Sequence, residues 1–138
     1  MLRRSPVPAP DGAFDADAVW TLFEGRTDWM LHVWRISRTT LPLCMDGLEA
    51  AAACGDWPGA ARHAHSLAGS SANFGAHALV AAARRIEDLA GAGGVPAGDV
   101  REARVRYDAL CAAMTSWLDR VGAGAGAPAT GQGDPSGR

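Results

Sequence analysis

The chain has 138 residues, of which 48% are hydrophobic and 20% charged, with a formal net charge of −2 and arginine as its only basic residue besides histidine. That length suits one domain with a real core, and the composition excludes both a wholly disordered chain and the basic footprint of a nucleic-acid binder. The apolar runs are too short to cross a bilayer, and the opening MLRRSPVPAPDG lacks the apolar stretch of a secretory signal, so cytoplasmic residence is the expectation.

Residues 1–12 hold three of the eight prolines, and residues 122–138 are mainly Gly, Ala, Pro, Ser and Thr. Neither segment buries enough apolar area to offset its ordering entropy, so both are expected to be flexible tails around a folded unit at 13–121.

A short helix is expected from about Asp15 to Phe23, carrying Val19, Leu22 and Phe23. The next stripe starts at Thr27-Asp28 and runs through Met30, Val33, Trp34, Ser37, Leu41, Cys44, Leu48 and Ala51. Pro42 interrupts it, and either kinks the helix or splits it with Thr39 or Thr40 as a new cap. A third stripe joins Trp57, Ala60, Ala64, Leu67, Ser71 and Phe74, with Asp56 as its N-cap and Gly75 as its stop. The fourth takes Leu79, Ala82, Ala83, Ile86, Leu89 and Ala90 into the glycine-rich turn at 91–94. The last is the most regular: Ala103, Tyr107, Leu110, Met114, Trp117 and Val121, with Asp99 and Glu102 resembling a capping box and Gly122 as the stop. No segment alternates at period two. Short connections between four substantial helices predict an all-α fold, an antiparallel up-and-down four-helix bundle with a short extra N-terminal helix. Cys44, Cys54 and Cys111 are odd in number and lack CxxC spacing, so they are expected to be buried thiols rather than a disulfide or zinc framework.

His65 follows the stripe residue Ala64 by one position, about 100° around the helix, which puts it on the flank or exterior. Its neighbours there are Ala61 and Arg62 one turn back and Ala68, Gly69 and Ala72 one turn ahead. Helix exteriors normally carry long polar side chains, and a mid-helix glycine costs about 1 kcal/mol relative to alanine. A low platform of small residues around one histidine suits close docking by another protein's active site. The neutral imidazole common near pH 7 has a nitrogen lone pair and acts as a nucleophile. No convergent carboxylates for Mg²⁺ and no nucleotide loop accompany it, so any metal stabilising a transferring phosphoryl group is expected from a partner. His63 and His77 lack this setting, and His63 and His65, two apart, point in different directions.

The run Ala64-His65-Ser66-Leu67-Ala68-Gly69-Ser70-Ser71-Ala72-Asn73-Phe74-Gly75 resembles the signature of histidine-phosphotransfer (HPt) domains, in which His-x-Leu-Lys-Gly-Ser precedes an apolar-Gly pair. Gly55-Asp56-Trp57, Leu79 and Arg85-Ile86-Glu87-Asp88-Leu89 fall where that family has similar residues, so the resemblance covers about residues 14–121. It implies a phosphocarrier rather than an enzyme, with His65 phosphorylated on Nε2. Its partners would be response-regulator receiver domains or a hybrid histidine kinase, with Mg²⁺ held by the receiver and no cofactor in this chain. It further implies that Gly69 gives a receiver close access; a monomer is expected, with a docking face of Arg62, Ala68, Gly69, Ser70 and Ala72. Ser71 and Asn73 are weaker candidates to orient the ring, and Trp57 a candidate for the rim. The family usually has lysine where this chain has Ala68; Arg62 is expected to substitute, or Arg84 or Arg85 if the next helix turns them this way. The alternative is a scaffold that keeps the docking face without being phosphorylated. A further variant is a domain phosphorylated in trans by a chemotaxis-type kinase.

Overall fold

The computed structural model describes residues 4–126, with side chains through Ala123. All regular structure among these residues is helical: a short 3-10 turn at Pro10–Gly12, then α1 (Ala16–Leu22), α2 (Thr27–Ala53), α3 (Trp57–Ala72), α4 (His77–Gly91) and α5 (Ala97–Gly126).

Asp15 opens α1 as its N-cap, its Oδ1 accepting from the Ala18 N–H at 3.0 Å. In α2, the helix runs unbroken through Pro42. A proline inside a helix removes one hydrogen bond and crowds the carbonyl four residues back, at a cost of about 3 kcal/mol. Met30, Trp34, Leu41, Met45, Leu48 and Ala51 are buried on both sides of the interruption, so the core holds the two halves as one element. The hydroxyl groups of Ser37 and Thr39 donate to the carbonyls of Val33 and Ile36 at 2.9 and 2.6 Å, which makes Thr39 an interior residue rather than a cap.

The α3 stripe is buried at Ala60, Ala64, Leu67, Ser71 and Phe74. Asp56 caps it through Oδ1, which accepts from Gly59 N–H at 3.0 Å; a Cβ on Gly59 would come within 2.2 Å of that carboxylate. After α3 the chain turns at Gly75, where φ is +61° and a Cβ would meet Asp15 Cβ at 2.9 Å. The Gly75 carbonyl accepts from the Asp15 N–H at 2.9 Å, so the glycine lets the start of α1 close over the turn.

α5 differs from expectation at both ends. It begins at Ala97, directly after Pro96, so Asp99 lies in the first turn instead of capping. The Asp99 carboxylate is taken by Arg85 Nε at 2.7 Å. Its far end passes through Gly122 to Gly126, since glycine permits a helix stop but does not compel one. The rest of the expected tail, 127–138, lies outside the described residues.

The N-terminal stretch also departs from a free tail. Trp117 is fully buried in α5, and its indole N–H donates to the Val7 carbonyl at 2.8 Å and lies 3.3 Å from Ser5 Oγ. Val7 and Ala9 pack on the core, and Phe14 and Trp20 meet Trp117 edge-on at 5.3 and 6.5 Å. A buried donor needs an acceptor, and this segment supplies it.

α2 packs on α3 and α5, and α4 packs on the same two helices. Arg38 meets Thr115 while Arg104 meets Asp46 and Glu49, so α2 and α5 run in opposite senses. One core results, from Phe14 and Val19 through Met30, Leu48, Leu67 and Ile86 to Trp117 and Val121. The cysteines divide: Cys44 and Cys111 are half-buried, whereas Cys54 is exposed at the end of α2, against expectation, because the helix stops there and the chain turns away. No described helix is long and apolar enough to cross a membrane.

Candidate functional site

His65 stands on the outer flank of α3, its side chain 70% exposed. Its Nδ1 lies 3.0 Å from Oε2 of Glu87 on α4, whose side chain is 33% exposed. A carboxylate only accepts, so the ring proton belongs on Nδ1. The lone pair is thereby assigned to Nε2, the nitrogen left without a partner among the described residues. The ring is thus oriented, set in one tautomer and open to solvent, which is the arrangement of a nucleophile that a partner must reach.

Glu87 is the residue that sequence reasoning missed, although it lies within the stretch Arg85–Leu89 that resembled the family. The signal was present. Glu87 follows the stripe residue Ile86 by one position, as His65 follows Ala64, so both occupy flanks of helices joined by the turn at 73–76.

The other expected site residues separate. Arg62, Gly69 and Ala72 are exposed, as a docking face requires. A Cβ on Gly69 would meet nothing within 4 Å, so no packing among the described residues calls for a glycine there. Ala68 is a correction: it is 0% exposed and belongs to the core. α3 is covered by α2 on one side and α4 on the other, which widens its buried arc beyond the Ala64–Leu67–Ser71 stripe and draws Ala68 inside. It contributes neither surface nor charge to docking. Ser70 is half-buried and sits five residues past His65, about 140° around the helix, so it does not flank the ring. Ser71 is fully buried with its Oγ unpartnered among the described residues. Asn73 is the exposed C-cap of α3.

Around the site, Arg85 is engaged by Asp99, whereas Arg62 and Arg84 are exposed and make no ion pair among the described residues. His63 turns to the other side of α3 and lies over Gly47 of α2, where a Cβ would come within 2.5 Å of its ring. His77 is exposed, 3.6 Å from Asp15. Trp57 packs toward Gly94, at the connection between α4 and α5. Among the described residues no group of three or more His, Cys, Asp or Glu side chains is gathered to hold a metal ion.

A family model described as Hpt domain matches residues 32–124. No curated protein and no solved structure matches the chain.

Proposed function

The chain belongs to the Hpt domain family, whose members carry phosphoryl groups on histidine in phosphorelays, and from that premise we propose that His65 is its phosphoacceptor. The group comes from, and returns to, aspartate receiver domains of a two-component system. The observation that carries the reading is the 3.0 Å contact between His65 Nδ1 and Glu87.

The chemistry follows from that contact. The Nε2 lone pair attacks the phosphorus of a receiver's aspartyl phosphate, the P–O bond to the aspartate breaks, and the carboxylate leaves. Nε2 carries no proton in this tautomer, so none has to be removed. The phosphorylated ring is cationic while Nδ1 keeps its proton, and the Glu87 carboxylate faces that charge as a buried carboxylate faces an imidazolium in a catalytic triad. Reversal delivers the group to a second receiver. Mg²⁺ and the remaining electrostatic stabilisation belong to the receiver, which makes this chain a carrier rather than a catalyst. Arg62, Gly69 and Ala72 form the docking face. The four long helices act as an antiparallel up-and-down bundle, in a cytoplasmic monomer that approaches a receiver or a hybrid kinase one face at a time.

The test is transfer of label from a radiolabelled phosphoreceiver to the full chain, beside His65→Gln. Acid-labile, base-stable label on the wild type and none on the variant is the expected result. A folded chain that takes no label from any of several receivers would replace this reading with a scaffold that docks without being phosphorylated, the alternative that the uncharged Ala68 favours.

A further inference from the structure

Two relationships set the register between α3 and α4. Ala72 and His77 flank the turn that joins the helices, and His65 meets Glu87. Residue numbers on one helix fall as those on the other rise, and both relationships bring Arg84 level with residues 65–68 of α3. On α4, Arg84 precedes Glu87 by three residues, a neighbouring position on the helix surface. Its chain neighbour Arg85 is engaged by Asp99 on α5. Arg84 is exposed and makes no ion pair or hydrogen bond among the described residues, leaving a free guanidinium one turn from the His65–Glu87 contact.

We propose that Arg84 is the cation that faces the phosphoryl group on His65, an assignment that rests on the phosphocarrier reading. Nδ1 faces α4 and Nε2 lies across the ring from it in solvent, so a cation on α4 has to reach a group on Nε2 with a long side chain. The α3 wall ahead of it is Gly69 and Ala72, which carry no charge, and Glu87 adds only a negative one. On the α4 side of the ring, the cation without an ion pair among the described residues is Arg84. A planar guanidinium can engage two phosphoryl oxygens at once, and its length gives it that reach. Arg62 lies three residues before His65, about 60° around α3 on the side turned from α4, which places it at the rim.

Phosphoramidate tests this without any partner protein. Nε2 attacks its phosphorus, the P–N bond of the donor breaks, ammonia leaves and an Nε2–P bond forms. The full chain and its Arg84→Gln, Arg84→Lys and Arg62→Gln variants are treated with phosphoramidate, with His65→Gln as the blank for the other histidines. Phosphohistidine is followed by ³¹P NMR as it forms, and again as it hydrolyses once the donor is removed. Arg84→Gln is expected to slow formation and shorten the lifetime by on the order of threefold to tenfold, the scale of a charge-assisted contact near solvent. Arg84→Lys should recover most of the loss, and Arg62→Gln, at the rim of the docking face, should lose less than Arg84→Gln. Wild-type behaviour in Arg84→Gln, with unchanged helical circular dichroism, overturns the assignment. So does a loss that appears in Arg62→Gln instead. A chain that accepts phosphoramidate but nothing from receivers would sink the phosphocarrier reading while these comparisons still judged Arg84.

Discussion

Nδ1 of His65 and Oε2 of Glu87 stand 3.0 Å apart on neighbouring helices, with the imidazole mostly in solvent and the carboxylate mostly out of it. The half-buried partner holds the exposed one. Glu87→Ala is therefore expected to leave the fold intact and to lower phosphotransfer by about tenfold, near the lower end of the worth of a hydrogen bond to a charged group. Imidazole ¹⁵N NMR checks the cause: the wild-type ring should hold its proton on Nδ1, and the variant should mix tautomers. An unmixed tautomer with an unchanged rate would remove Glu87 from the site.

Gly69 separates docking from folding. A Cβ there meets nothing within 4 Å among the described residues, and the position is an exposed helix interior. Gly69→Ala should stabilise the protein by up to about 1 kcal/mol in urea denaturation, the difference in helix propensity. Receiver binding should weaken in the same variant, and further in Gly69→Leu. Equal affinity for all three proteins would show that no partner approaches this turn closely.

Gly47 is glycine for a different reason. A Cβ would fall within 2.5 Å of the His63 ring, so helix propensity and packing oppose each other at this position. Gly47→Ala alone is expected to be neutral or destabilising. In a His63→Ala background the same change should stabilise by up to about 1 kcal/mol, because only propensity remains. A double-mutant cycle in urea measures the coupling, and additive effects would contradict it.

Stability should fall in mildly alkaline solution. Burial, helped by a hydrogen bond with Cys111, holds the Tyr107 hydroxyl well above its ordinary 10.0, and burial likewise pushes the Cys44 and Cys111 thiols above 9.0. The unfolded chain releases these protons first, so between the unfolded and folded values it binds fewer than the native state and stability declines with rising pH. Urea midpoints are expected to hold up to about pH 8 and to drop from about pH 9 upward, with Tyr107→Phe flattening the drop above about pH 10. A decline identical in the variant would assign it to other groups.

What could be read in the sequence was periodic. The stripes through Leu67, Ile86 and Trp117 mark buried faces because burial repeats with the helix, and they place His65 outside by the same arithmetic. Ala68 was not legible, since one stripe gives the centre of a buried arc but not its width, which two neighbouring helices set. Glu87 needed the register of α4 against α3, a tertiary quantity. Pro42 pointed to a break because local chemistry favours one, while the buried residues flanking it favour a single helix. Asp99 had a cap's identity, but its carboxylate was claimed by Arg85 from another helix.

The bond from the Trp117 indole to the Val7 carbonyl has one more consequence. Every residue owns a carbonyl, so this hydrogen bond specifies the path of the chain, while the Val7 side chain asks only for an apolar group against the core. Apolar substitutions there can accumulate without loosening the seal over Trp117, whereas removing the segment strands a buried donor. Such a strap leaves no sharp motif behind: it can look expendable in any single sequence and still be a piece the bundle cannot shed.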